Sequence, residues 1–280
     1  MVGLPEDQVK ISPFFLVPRA VRVRGSVIGI CGSDVHTLDS GWGPAKYPVV
    51  TGHEIGGKVT AAGSDVKHLT ASASPCDECA DGFDPYCKNV IMTYKSLYKD
   101  GSKSYGGYAD FVRVASDYVF KIPENIPSDE AAPLLCAGVT VFAPLRPEGV
   151  KPGDHVGVIG IGHLAIQFIR AMGGIPVAFS RSANKEQEVR ALGAQDFYNL
   201  SDPKDAKGAV RSVKTVVLTA DANNMPYDTY LNLLRPRGTF IMVGLPNDKL
   251  ICSPGSFVRG GKRLVGSKIG SPQDVKECWI

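Results

Sequence analysis

The second half of the chain repeats one pattern that few folds accommodate, an apolar run, then a glycine-rich turn, then an amphipathic stretch. From Asp154 onward it reads HVGVIGIG, HLAIQFIRAMG, PVAFS, ANKEQEVRALGA, TVVLTA and, later, GTFIMVG. Short continuous apolar runs predict strands buried on both faces, and the stretches between them predict helices. Such alternation builds a parallel sheet covered by helices. Before about residue 135 the texture differs. Runs of β type at 21–30, 47–50, 57–62, 108–114 and 118–122 are separated by Gly, Pro, Asp and Ser, which predicts an irregular β domain. Between the two textures, IPSDEAAPLLCAGVTVFAPL reads as a helical connection capped near Ser128.

Composition narrows the possible partners. The 280 residues, 44% hydrophobic and 21% charged, suit two medium domains. The net charge of +3 is spread along the chain without a basic stripe, so a nucleic-acid partner is not expected. No apolar run approaches the roughly 18 residues of a membrane span, and MVGLPEDQVKISPFF lacks the layout of a secretory leader. The expectation is a cytoplasmic protein without membrane contact. Seven cysteines, with Cys76, Cys79 and Cys87 crowded together, point in a reducing compartment to metal binding more than to disulfides.

Three groups of residues could carry chemistry. Cys31-Gly-Ser33-Asp34-Val-His36 and Gly52-His53-Glu54 contain competent zinc ligands. A catalytic zinc characteristically takes three protein ligands and leaves one position open, and Cys31, His53 and the later Cys136 could supply them. Each residue alone also reads as an ordinary core or turn residue. The second group is Cys76, Cys79 and Cys87. The third begins at Gly160-Ile-Gly162-His163-Leu164-Ala165, which satisfies G-x-G-x-x-A between a strand and a helix. Near where an NAD site would place a carboxylate, the chain has Ser180-Arg181-Ser182-Ala-Asn-Lys185, whose hydroxyls and cations suit a 2′-phosphate.

The order of CGSDVH, a GWG loop, YPVVTGHEIGGKV, YGGYADFVRVASDYVFKIPENIPSDEAAP, AAPLLCAGVTVFAPL, LLRPRGTFIMVGLP and LVGSKIGSP resembles the zinc-dependent medium-chain alcohol dehydrogenases, in particular the cinnamyl alcohol dehydrogenase branch, over residues 26–274. The resemblance implies an α/β chain. A GroES-like irregular β catalytic domain would occupy residues 1–140, and a doubly wound parallel-sheet (Rossmann) NADP(H)-binding domain residues 141–274. The C-terminal return segment would be missing, leaving 275–280 as a truncated tail.

The same resemblance implies a catalytic Zn2+ on Cys31, His53 and Cys136, with Glu54 as an alternative ligand and Asp34 orienting neighbours. Ser33 would hydrogen-bond the substrate oxygen and begin a proton relay through His36. Residues near Trp42 would line the pocket of a small-molecule alcohol or aldehyde. Gly160, Gly162, His163 and Leu164 would bind the cofactor pyrophosphate, and Ser180, Arg181, Ser182 and Lys185 would select NADP(H). Relatives commonly form dimers through their nucleotide domains, so a homodimer is a possible state.

The sequence also departs from the family plan. The residues before CGSD do not match its N-terminal strands. Leu69 passes into Thr70-Ala-Ser-Ala73 where a strand is expected, and Ala73 takes the place of the first of four structural-zinc cysteines. The glycine loop is shorter than the family's GIGGLGHLA. These departures keep open a second reading, an inactive or partial family member that binds zinc or NADP(H) without turnover. A zinc-free quinone reductase is disfavoured, because such proteins lack the Cys and His ligands kept here.

Overall fold

The computed structural model describes residues 19–66, 76–160 and 162–279. The residues before 19, and the segment holding Leu69, Thr70 and Ala73, lie outside the described residues. Two sheets organise the rest. The first has the strand order β2-β1-β3, from β1 (Ala20–Gly29), β2 (Glu54–Ala62) and β3 (Phe111–Ala115), all antiparallel. Its small core holds Val21, Val23 and Val112, with Ile55, Val114 and Val119 packed against them.

Two of the runs read as strands are not strands. Residues 47–50 are loop, because Pro48 has no N–H to donate and the Val50 carbonyl accepts instead from Gly106 N at 2.8 Å. In residues 118–122 the chain leaves a single helical turn, Ser116–Tyr118, with Val119 N bonded back to Ser116 O at 3.2 Å. The apolar side chains there still serve packing, since Val119 joins the small core and Phe120 packs beside Val139.

The second sheet comprises β4 (His155–Ile159), β5 (Ile175–Ser180), β6 (Asp196–Asn199), β7 (Val213–Leu218), β8 (Leu234–Met242) and β9 (Arg263–Gly266). Every pairing is parallel and the order is β6-β5-β4-β7-β8-β9, which reverses direction between β4 and β7. That is the doubly wound parallel sheet expected, and its switch point is where such sheets bind ligands.

Side-chain alternation builds a core on each face of this sheet. Val177 and Phe179, Val216 and Leu218, and Phe240 enter one core, together with Tyr227, Tyr230 and Leu231 of the helix Tyr227–Asn232. Ala178, Val217 and Ile241 enter the other, with Ile166 and Ile169 of the helix His163–Ala171 and Leu145 of the helix Val139–Leu145. Phe179, Phe240, Ile166 and Leu145 are fully buried, each contributing about 1.5–3 kcal/mol of transfer free energy.

The connection between the sheets is helical, as expected. Its cap is Pro127, however, and Ser128 is the first helical residue, without a side-chain cap bond. The helix Ser128–Pro133 passes into a π-helical turn, Leu134–Gly138, and then into Val139–Leu145. The expected change of domain at 140/141 therefore falls inside a helix whose Val141 and Leu145 belong to the core of the parallel sheet.

Of the residues expected as a truncated tail, 275–278 are packed. They lie in the helix Pro272–Cys278, which Ser271 and Asp274 close with a capping box, and Val275 and Cys278 bury against Val139. Among the described residues no helix is long and apolar enough to cross a membrane.

Candidate active site

The chain brings Cys31, His53, Glu54 and Cys136 together from three elements, with one ligand atom of each lying within 4.8 Å of the others. Cys31 stands where β1 ends and the helix Gly32–Leu38 begins, as its N-cap. His53 and Glu54 enter β2 from the turn at Gly52. Cys136 comes from the π-helical turn, a distortion often found at functional sites. His53 Nε2 lies 3.1 Å from Cys136 Sγ, and the two sulfurs are 3.9 Å apart. A Cβ at Gly29 would fall 2.1 Å from Glu54 Oε2, so this glycine leaves room for the carboxylate in its present position.

The donors are arranged for a cation. A hydrogen bond from the Cys136 thiol, with further ones from His53 and Ser33, holds Cys31 down to about 3 despite burial, which gives a thiolate. The same bond and burial push Cys136 up. Burial pushes the Glu54 carboxyl up to about 7, and the nearby Cys31 charge adds to it. Burial alone would lower His53, but its bond to Cys31 and the Asp34 charge outweigh that and raise it. Two sulfurs, one imidazole nitrogen and one carboxylate converging from three elements form a donor set that fits zinc.

Asp34 holds the set together. Only 2% exposed, it accepts from Cys31 N at 3.1 Å, Gly52 N at 2.9 Å and Tyr108 OH at 3.2 Å, while its Oδ1 lies 3.0 Å from His53 Nδ1. Binding Nδ1 leaves Nε2 facing the cysteines, which is how a carboxylate orients a metal-ligating imidazole. Tyr94 adds a second partner, its OH 3.2 Å from His53 Nδ1 and its ring edge-on at 5.7 Å. Neither tyrosine was legible as a site residue, for each is one aromatic in a loop far from its partner in sequence.

Ser33 and His36 lie three residues apart on the helix Gly32–Leu38, and so share a face. Ser33 Oγ is 3.6 Å from Cys31 Sγ. His36 turns toward the parallel sheet, where its Nε2 pairs with Asp221 Oδ2, and its ring stacks on Trp42 at 4.4 Å.

The second cysteine group also converges. Cys76 Sγ is 3.1 Å from Cys79 Sγ and 3.4 Å from Cys87 Sγ. Glu78 hydrogen-bonds Cys76, but among the described residues no carboxylate lies within 4.8 Å of all three sulfurs, although Asp77 and Asp84 are also close in sequence.

A cavity of about 250 Å³ opens at the carboxyl ends of β4 and β5. Gly160, Phe179, Ser180, Arg181, Ser182 and Lys185 are among its lining residues, so hydroxyls and cations rim an apolar floor. Gly160 has φ +100, and a Cβ there would stand 2.8 Å from Thr219 Oγ1, so only glycine makes this turn. Gly162 caps the helix His163–Ala171, whose first turn points free amides toward the loop. His163 and Leu164 do not line the cavity. Leu164 packs into the core beneath, and His163 Nε2 lies 2.9 Å from Glu188 Oε1 without a hydrogen bond.

Comparison with known proteins identifies the family. The alcohol dehydrogenase GroES-like domain family matches residues 17–124, and the zinc-binding dehydrogenase family matches residues 160–279. A probable cinnamyl alcohol dehydrogenase of Oryza sativa subsp. japonica is 38% identical, over 95% of this chain and 78% of its own length. An 8-hydroxygeraniol dehydrogenase of Catharanthus roseus is also 38% identical, over 95% and 80%.

Among solved structures, a cinnamyl alcohol dehydrogenase of Sorghum bicolor superposes with a TM-score of 0.90 at 32% identity, covering 96% of this chain and 81% of that one. The CAD from Helicobacter pylori complexed with NADP(H) gives 0.85 at 31% identity, covering 94% and 79%. With a GroES-like domain, a Rossmann sheet and these relatives, the chain belongs to the zinc-dependent medium-chain alcohol dehydrogenases, on the cinnamyl alcohol dehydrogenase branch.

Proposed function

We propose that the protein transfers hydride between NADP(H) and a small alcohol/aldehyde pair, of cinnamyl type or of broad specificity. The observation that carries this is the convergence of Cys31, His53, Glu54 and Cys136 within 4.8 Å on elements distant in sequence. Cys31, His53 and Cys136 would hold Zn2+, with Glu54 in reserve as a ligand. When bound, zinc supplies Lewis acidity toward a carbonyl oxygen and NADPH supplies the hydride.

The chain's own residues do the rest. Ser33, beside the Cys31 thiolate, hydrogen-bonds the substrate oxygen and hands it a proton, and His36 on the same helix face replenishes that proton from the half-exposed cleft. Ser180, Arg181, Ser182 and Lys185 bind the 2′-phosphate at the rim of the cavity, where Arg supplies a fork and Lys a point charge. Gly160, Gly162, His163 and Leu164 form the loop and first helical turn that receive the pyrophosphate through backbone amides. Cys76, Cys79 and Cys87 would form an incomplete structural zinc site that needs a fourth ligand. The zinc-binding unit is residues 1–140 and the nucleotide unit 141–274, and β9, at the edge of its sheet, offers the surface for a homodimer.

The test is NADPH oxidation by the zinc-supplemented protein with cinnamaldehyde, with and without a zinc chelator. Chelator-sensitive turnover is expected. A folded, zinc-containing sample that binds NADPH and turns over neither aromatic nor aliphatic aldehydes would establish the inactive alternative instead.

A further inference from the structure

Asp221 follows the end of β7 and reaches across to the other sheet, where its Oδ2 pairs with His36 Nε2 over 185 residues of sequence. The His36 ring is held in plane as well. It stacks on Trp42 at 4.4 Å and 14°, and Trp42 Nε1 donates to Leu245 O at 3.0 Å, again on the parallel-sheet side. His36 is therefore fixed at one nitrogen and on one face by contacts that exist only where the two sheets meet. Asp221 also belongs to the nucleotide edge. Two residues before it, Thr219 donates to Ile159 O at 3.0 Å and packs on Gly160. The two side chains are 26% and 31% exposed, so water reaches the pair without flooding it.

We propose that Asp221 is the positioning residue of the proton relay, fixing His36 in the tautomer with its proton on Nε2 and presenting that ring only when the two sheets are docked. A carboxylate at this distance can only accept, so Nε2 keeps its proton whether the ring is neutral or charged. Nδ1 is then the atom left to pass a proton along the relay, while the Asp221 carboxylate holds the ring at Nε2, the way a carboxylate orients a catalytic histidine elsewhere. The balance closes: each aldehyde reduced takes two electrons as hydride from NADPH and one proton, which leaves Nδ1 for the substrate oxygen through Ser33 and is replaced from water.

This inference rests on the proposed oxidoreductase reading, and one of its readouts needs no turnover. In zinc-loaded protein with ring-15N histidine, assigned against His36→Gln, the neutral His36 ring is expected as the Nε2–H tautomer. Asp221→Ala is expected to shift it toward a mixture of tautomers and to lower kcat about ten-fold, with KM for NADPH held within about two-fold. Asp221→Glu is expected to restore most of both. A wild-type His36 with its proton on Nδ1, or an Asp221→Ala variant whose tautomer is unchanged while only its melting temperature falls, overturns the proposal and leaves Asp221 as a latch between the sheets. If the wild type shows no turnover, the oxidoreductase reading fails, and the tautomer still decides the assignment of Asp221.

Discussion

Asp34 Oδ1 lies 3.0 Å from His53 Nδ1, and the same carboxylate accepts the backbone N–H of Cys31 and of Gly52. One buried side chain thus ties together two zinc-ligand segments that are separate in sequence. Asp34→Asn keeps the shape but loses the charge and one acceptor, so His53 is no longer held with Nε2 facing the cysteines. The expected result is about 10–100-fold weaker zinc binding, read by competition with a chromophoric chelator. Affinity within two-fold of the wild type would show that Tyr94 alone orients the ring.

Cys31→Ala separates metal chemistry from nucleotide binding. The cavity rimmed by Arg181 and Lys185 does not include Cys31. Aldehyde reduction is expected to vanish while NADPH affinity, measured by fluorescence titration, stays within about two-fold. Retained reduction in this variant would remove Cys31 from the zinc site.

Arg181 is exposed at the rim of the cavity and lies next to Ser180, which ends β5. A charge-assisted hydrogen bond to a phosphate is worth about 1.5–3 kcal/mol. Arg181→Ala is therefore expected to weaken NADPH binding about 10–100-fold and to leave NADH binding nearly unchanged. Equal losses for both cofactors would place Arg181 on the pyrophosphate or the adenine instead.

Asp154 fastens the start of β4 to β7. Its Oδ2 accepts from Lys214 Nζ at 2.9 Å and from Lys151 N at 3.1 Å, and the Lys214 hydrogen bond holds the carboxyl below its ordinary range. A depressed carboxylate stabilises the fold above its unfolded pKa of about 3.9 and loses that contribution as pH falls through the lower folded value. Asp154→Asn is expected to lower the melting temperature at pH 7 and pH 5, by the equivalent of less than about 1 kcal/mol for a pair open to solvent. The difference should close below about pH 4. A gap that widens with acid would mean that another group carries the effect.

How far the fold was legible follows from what each signal reports. Four strands of the parallel sheet, β4, β5, β7 and β8, could be read from the sequence, because strands buried on both faces must be apolar and the turns between them need glycine, whereas the short edge strands β6 and β9 are only partly buried and carry no such run. The β domain was legible only in part. Residues 47–50 have strand-like composition, but Pro48 cannot join a ladder and the Val50 carbonyl is taken by Gly106. The packing of Val275 and Cys278 against Val139 was hidden because it depends on how the helix Pro272–Cys278 returns across the molecule.

The sequence by itself determined the residue types of the site and their local settings. Cys31 follows a β run, His53 and Glu54 precede the next one, and a basic, hydroxyl-rich turn follows the apolar run PVAFS. Periodicity and turn chemistry act over a few residues, and that is the range over which a sequence can be read directly. Only the tertiary structure set Cys136 Sγ 3.9 Å from a sulfur 105 residues away, placed Tyr94 on His53, and brought Asp221 to His36 across 185 residues. Those contacts depend on how two sheets dock through a helical connection with a π-helical turn in it, and docking is decided by the summed packing of many side chains, which no local spacing encodes.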